Sequence, residues 1–308
     1  MDVAIVGAGI AGLACADVLA AAGHRVALFD KGRGPGGRMS TRRVDQDGAR
    51  YSFDHGAQYF TARDPDFAAQ VAIWEAASIV ARWPAAGDDA WVGTPGMNAP
   101  VRALAEAHSV SWGARIEALS RTDQGWQLDS RPEYYAAVVV AVPAEQVAAL
   151  VSPYAPDLAE AATATPSDPC WTLMAAFDTR IAVAGDALRG GAGDPLGWAA
   201  RDGAKPGRAV DETWVVQAGS DWSATHLEET PDVIVPQLLA ALAERATAPL
   251  PPATYTAAHR WRYARTTGRD SGVTWVADLG LGLCGDWRQG PRIEAAWLSG
   301  QRLGQKIA

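Results

Sequence analysis

Gly7, Gly9 and Gly12 stand in the spacing G-x-G-x-x-G, with Ile10 and Ala11 between the last two, and Asp30 lies 18 residues beyond Gly12. Each glycine has its own task. Gly7 allows a tight turn, Gly9 lets backbone approach a pyrophosphate, and Gly12 lets a helix pack close to a sheet. The unpaired N–H groups of a helix start, with the helix dipole, then favour an anion. An acid at the end of the next strand suits ribose hydroxyls. The motif needs its context, and the context is present. Val3–Val6 is a short run suited to a parallel strand covered on both faces. Leu13–Ala22 reads as a helix stopped by Gly23, and residues 25–29, RVALF, lead into Asp30. The expected unit binds a dinucleotide.

The segment after Asp30 separates one dinucleotide from another. A second strand in an ordinary nicotinamide-nucleotide domain runs quickly into a helix. Here Lys31 opens a glycine-rich loop that reaches Gly37, Arg38 and Met39. Its glycines can arrange N–H groups in a nest, and Arg38 can pair with a phosphate in fork geometry. A plain surface loop is the competing reading.

The residues here carry a resemblance. The stretch D-K-x-x-x-x-G-G-R-M-x-T from Asp30 to Thr41 resembles the start of flavin amine-oxidase-type proteins, and within them the renalase-like branch. Four further segments support that branch: DHGAQYF at 54–60, AVVVAVP at 137–143, HRWRYA at 259–264, and GDW at 285–287 with RIEAAWLSG at 292–300. The resemblance implies non-covalent FAD. It places Gly56, Ala57, Gln58 and Tyr59 against the flavin, Tyr59 also facing substrate, and a strand through Ile116 beside the adenine. Gly285 and Asp286 close an apolar run, LGLGLC, that reads as a last central strand, so Asp286 would stand at a strand end, near a ribityl hydroxyl or a phosphate. Arg292, Ile293 and Glu294 open a helix whose N–H groups could meet the flavin pyrimidine carbonyls and favour the charge of a reduced ring. Simple C-terminal packing is the alternative for that helix.

A flavin enzyme needs a hydride donor held against the ring, because the cofactor performs the redox chemistry. The resemblance implies an oxidase for isomeric dihydro-NAD(P), with oxygen or another acceptor reoxidising FAD. Its expected cleft combines arginines for phosphates and aromatics for the ring, with His259, Arg260, Arg262 and Trp222 as candidates. HRWRYA could equally be structural, with Arg stacked on Trp. One departure stands out. Gln217 lies where the branch carries His, and Gln cannot become a cation. Two other readings remain open: an amine oxidase, whose amine an acidic protein would help recruit, and a non-catalytic FAD-binding protein. The substrate is a small molecule in either enzymatic reading.

These residues need a scaffold, and the rest of the chain describes one. A length of 308 residues favours two lobes over one. The fold class is α/β: a Rossmann-like FAD-binding domain from 1–60, 100–165 and 265–308, with a discontinuous α+β cover domain from 60–100 and 165–265 that carries an antiparallel sheet. Residues 66–80, 144–151, 232–247 and 292–303 read as helices. Residues 170–177, 213–218 and 253–261 read as strands, and 109–130 as a small antiparallel insertion. Residues 185–209 hold seven glycines and read as a long loop, a candidate lid.

Composition excludes other classes. The net charge of −8 leaves no basic surplus for nucleic acid. Three scattered cysteines and five scattered histidines offer neither a disulfide framework nor a metal site. The apolar N-terminus lacks the basic start of a signal peptide and carries Asp17, so no membrane attachment is expected. A cytoplasmic monomer or weak homodimer is the expectation. The 13 tryptophans are an excess that either fills cores or lines an aromatic cleft. Trp171, Trp214, Trp222, Trp261, Trp287 and Trp297 fall where a flat cofactor and substrate could meet.

Overall fold

The computed structural model describes residues 1–46, 48–269, 271–272 and 274–308. Val3, Ala4 and Ile5 are fully buried, as a strand covered on both faces requires. Asp2–Val6 is therefore central in a six-stranded sheet. Arg25–Asp30 and Ala137–Val140 pair with it in parallel on its two sides. Leu281–Leu283 adds beyond Ala137–Val140, and Thr274–Val276 closes that edge antiparallel. Ser109–Trp112 forms the other edge, parallel to Arg25–Asp30. This corrects the 109–130 reading. The hairpin of Leu119–Thr122 and Gly125–Leu128 is separate, while Ser109–Trp112 belongs to the main sheet.

The helix Ile10–Ala21 comes directly after the first strand and ends as its sequence requires. Gly23 takes a left-handed φ of 83°, and the N–H of His24 reaches the carbonyl of Leu19. The C-terminal helix Ile293–Ile307 lies against it through two glycines. A Cβ on Gly300 would stand 2.0 Å from the Ala11 carbonyl oxygen, and one on Gly304 would stand 2.7 Å from Val18.

A second sheet has five strands in the order Ala187–Arg189, Trp198–Arg201, Glu212–Gln217, Ser167–Phe177, Ala253–Thr266. All its pairings are antiparallel. Alternation divides Ser167–Phe177 between two cores. Trp171, Leu173, Ala175 and Phe177 pack under Ile234, Leu238 and Leu242 of the helix Pro231–Ala243. Met174 and Ala176 face Phe53, next to Tyr51 and Tyr255. Phe53 belongs to the hairpin Arg42–Gln46/Ala49–Phe53, which leads from the glycine-rich loop to residues 54–60.

Other expectations change at this level. Residues 185–209 contribute two strands to the second sheet rather than a lid. The helix expected at 66–80 spans Pro65–Ala76, and Val80–Arg82 is a strand. Segment 60–100 buries Phe67, Val71, Trp74, Trp83 and Trp91 in the same core as Leu13 and Trp297. Trp126, Trp171, Trp214 and Trp287 are among the largest fully buried side chains, so most of the tryptophan excess fills cores.

The glycine contact between the two helices leaves no room for a methyl group. Gly300→Ala is expected to lower stability by about 1–3 kcal/mol through overpacking, measured as a shift in denaturation midpoint with unchanged m-value. Unchanged stability would contradict the close approach.

Candidate functional site

A cleft of about 970 Å³ opens between the ends of the parallel strands and the antiparallel sheet. Its size suits a ligand site. Its floor is built by the first turn. Gly7 has φ 106°, and a Cβ on Gly12 would lie 2.0 Å from the Gly7 carbonyl oxygen. Gly9 has nothing within 4 Å of the position a Cβ would take, so its backbone faces open space. The helix Ile10–Ala21 has no side-chain N-cap, and Gly9, Ile10 and Ala11 line the cleft. Asp30 is held at the strand end by the N–H groups of Ala8 at 2.7 Å and Gly32 at 2.6 Å. Lys31 donates to Gln146 at 3.0 Å.

The two distant motifs close on each other. Arg38 forms a bidentate pair with Asp286, its guanidinium nitrogens 2.7 and 2.6 Å from the two carboxylate oxygens. Sequence reasoning sends these side chains to a phosphate and a ribityl hydroxyl; the structure pairs them with one another on the cleft wall. Beside them, the carbonyl of Arg38 accepts from Ala57, and a Cβ on Gly56 would meet that carbonyl at 2.0 Å. Gly37, Met39, Gly56, Ala57, Ile116, Gly285, Arg292 and Ile293 also line the cleft. The helix Ile293–Ile307 starts there without a side-chain cap.

These features fit FAD. Two uncapped helix starts face one cleft, Gly9 leaves open space, and Glu145 supplies a buried carboxylate on the wall with no partner among the described residues. The Gly9 turn would take the pyrophosphate, Asp30 a ribose, and Gly56, Ala57 and the Arg292–Ile293 backbone the ring system.

Several expected site residues stand elsewhere. Gly12 lies beneath the cleft against the Gly7 backbone, in the close helix–sheet packing expected of it. Glu294 is 1% exposed and accepts the N–H groups of Arg63 and Asp64 at 2.5 and 2.7 Å, so it ties residues 63–64 to the C-terminal helix. Tyr59 packs against Trp198 with the rings tilted by 39° and their centres 5.3 Å apart, and it is Trp198 that reaches the cleft. Trp222 lies on the His226 ring, packed against the core of the antiparallel sheet. His259 sits behind Trp261, in a cluster with His55. The face that meets the cleft there is Trp261, whose indole donates to the His55 carbonyl at 2.8 Å. Gln217 does line the cleft, and donates to the Gly56 carbonyl at 2.7 Å. Arg260 and Arg262 line it as well.

Sequence reasoning misses Trp198, Cys170 and Glu145, which all line the cleft. Glu145 stands two residues past Pro143, just beyond a parallel strand, where ligands of such sheets bind, so a signal for it exists. Trp198 and Cys170 carry no local signal. Burial pushes the Cys170 thiol up to about 11, so it stays protonated.

Gln58 belongs to a buried charge cluster behind the cleft wall. Its Oε1 accepts from Lys205 at 3.1 Å, and its Nε2 donates to the carbonyls of Asp54 and Gly56. Lys205 lies 3.3 Å from Asp54 and 2.6 Å from Asp202, and Arg208 also pairs with Asp54. These four side chains are at most 2% exposed. Burial opposes the charge on Asp54, but Lys205 and Arg208 outweigh it and hold the carboxyl down at about 2. Burial, then Asp54, raises Asp202. The cluster fastens residues 54–58 to the turn at 202–208.

His55 shows the opposite balance. Burial, then His259 and Arg42, push it down to about 4 from an ordinary 6.5. Burial and Arg42 lower His259 too.

Comparison with known proteins agrees with this geometry. Residues 5–74 match a family described as an NAD(P)-binding Rossmann-like domain. Residues 82–308 match the family described as flavin containing amine oxidoreductase. A 56-residue stretch is 50% identical to 4,4'-diapophytoene desaturase (4,4'-diaponeurosporene-forming) of Staphylococcus haemolyticus (strain JCSC1435), covering 18% of this chain and 10% of that protein. The chain thus spans about a tenth of that relative. Among solved structures, putrescine oxidase bound to putrescine superposes with a TM-score of 0.71 at 15% identity, over 99% of this chain and 98% of that one. Cyclohexylamine oxidase from Brevibacterium oxydans IH-35A gives 0.66 at 14% identity over the same shares. An oxidoreductase from Methanosarcina mazei gives 0.59 at 13%, over 97% and 99%. At these identities the likeness is one of fold.

The buried charges make two expectations testable. Native His55 takes up its proton near 4 and the unfolded chain near 6.5. The unfolded state therefore binds more protons in that window, and stability falls as pH drops through it, by roughly 3 kcal/mol at most from this group. Thermal unfolding from pH 7 to 4 should show the loss, and His55→Asn should flatten it; an unchanged slope in the variant would contradict the assignment. Removing one cation from the quartet leaves a buried charge unpaired, so Lys205→Met should cost about 3–5 kcal/mol. Denaturant titration of the FAD-loaded protein checks this.

Proposed function

Because the chain belongs to the flavin containing amine oxidoreductase family, and so is an FAD-dependent oxidoreductase, we propose that its substrate is an isomeric dihydro-NAD(P), oxidised to the ordinary dinucleotide. One observation carries this reading. The cleft wall contributed by the antiparallel sheet and its connections presents three guanidinium groups, Arg260, Arg262 and Arg265, against two carboxylates, Asp168 in the wall and Glu228, which pairs with Arg260 and Arg262 from its rim. A cationic wall attracts phosphate and repels an alkylammonium ion. Trp198 and Trp261 also line the cleft and supply flat apolar surface, as a nicotinamide ring requires.

FAD, when bound, would supply a two-electron acceptor that oxygen or another acceptor can reoxidise. The chain's own part is positional. Trp261 is fixed by its bond to the His55 carbonyl, and Gln217 by its bond to the Gly56 carbonyl, so the substrate wall is tied to the segment that meets the flavin. Gln217 does this as a neutral donor, with no protonatable group needed at that position.

Amine oxidation is the second reading, favoured by the family itself and by the fold shared with putrescine and cyclohexylamine oxidases. Anaerobic mixing separates the two. Isomeric dihydro-NAD(P) should bleach the flavin absorbance within the mixing experiment, while putrescine and cyclohexylamine leave it unchanged. Bleaching by the amines alone would overturn the proposal, and bleaching by neither class would favour a non-catalytic FAD protein.

A further inference from the structure

Arg260 and Arg262 are two residues apart on the strand Ala253–Thr266, so they share the face opposite Trp261. Both line the cleft, and one exposed carboxylate joins them. Glu228 accepts from Arg262 at 2.7 and 2.8 Å, in fork geometry, and from Arg260 at 3.1 Å. Its side chain is 71% exposed. An ion pair so open to water is weak and readily exchanged. The Arg262 hydrogen bond holds Glu228 below the ordinary carboxylate range, so it carries its charge at neutral pH.

Arg260 does not depend on Glu228 for its placement. It also donates to the Leu227 carbonyl at 2.6 Å and lies over the Trp171 ring, 5.6 Å from its centre. Two guanidinium groups set side by side form a receptor for a polyanion, because each fork can take two oxygens. Glu228 satisfies that receptor with a single charge, whereas a pyrophosphate brings at least two.

We propose that Arg260 and Arg262 are the seat for the substrate's pyrophosphate, and that Glu228 is a resident counter-ion which the pyrophosphate displaces. This rests on the dinucleotide reading of the substrate. Glu228 thereby sets specificity: it excludes weak monoanions, which gain nothing over the carboxylate already present, and admits ligands of higher charge.

The FAD-loaded protein, in excess FAD, is titrated calorimetrically with inorganic pyrophosphate at low and moderate salt. Glu228→Gln should tighten binding about tenfold, and Arg262→Gln weaken it about tenfold, with the salt dependence reduced in the latter. Acetate should bind neither wild type nor Arg262→Gln. Equal pyrophosphate affinity in wild type and Glu228→Gln, or weaker binding in Glu228→Gln, would overturn the proposal. Flavin bleaching by dihydro-NAD(P) is monitored in parallel. Glu228→Gln should lower KM with little change in kcat. If bleaching proceeds with a KM insensitive to Glu228, the seat is wrong and the substrate reading stands. If pyrophosphate binding responds as stated but no dihydronucleotide bleaches the flavin, the seat stands and the substrate reading falls.

Discussion

At Gly12, Gly300 and Gly304 no side chain fits between the helix Ile10–Ala21 and the chain that encloses it. Gly12 touches the Gly7 carbonyl beneath it, and Gly300 touches the carbonyl of Ala11 above. This three-layer contact brings the first and last segments of the chain together and aims two uncapped helix starts into one cleft. The positive ends of both dipoles then act on the same space. Either glycine contact could be relaxed only by moving a helix, and the geometry of the cofactor floor would move with it.

Charge pairing across long sequence distances completes the site. Arg38 and Asp286 join the glycine-rich loop to the last parallel strand. The Asp54, Asp202, Lys205 and Arg208 quartet joins residues 54–58, beside the cleft, to the antiparallel sheet. Buried ion pairs are costly to form and are poor sources of net stability. Their value here is positional, because each closes between segments that are otherwise connected through loops. Gln217 and Trp261 extend the same attachment by hydrogen bonds to the backbone of residues 55–56.

The family fixes the cofactor class and leaves the substrate to the cleft wall. That wall differs in character from the protein as a whole. The chain carries a net charge of −8 while on the substrate side three arginines outnumber the two carboxylates beside them, Asp168 and Glu228. Such contrast arises only where side chains are concentrated by folding: the sequence marks Arg260 and Arg262 as candidates, but the meeting with Arg265, Asp168 and Glu228 is set by the fold.

Sequence by itself determined the βαβ unit, because its glycines, buried run and terminal acid act over short range and answer to backbone sterics alone. It also identified the C-terminal helix and several of the segments that line the cleft. It misjudged residues whose role depends on direction. Glu294 and His259 sit within or beside the right motifs yet turn into hydrogen bonds and ring contacts away from the cleft. Residues 185–209 looked like a loop because their glycines hide two short strands that exist only by pairing with Glu212–Gln217 and one another. The tryptophans could not be divided between core and cleft from composition, because an indole serves both equally well. Which face each side chain presents, and which distant partner it meets, is set by the packing of two sheets around one cavity, and that was decided in tertiary structure.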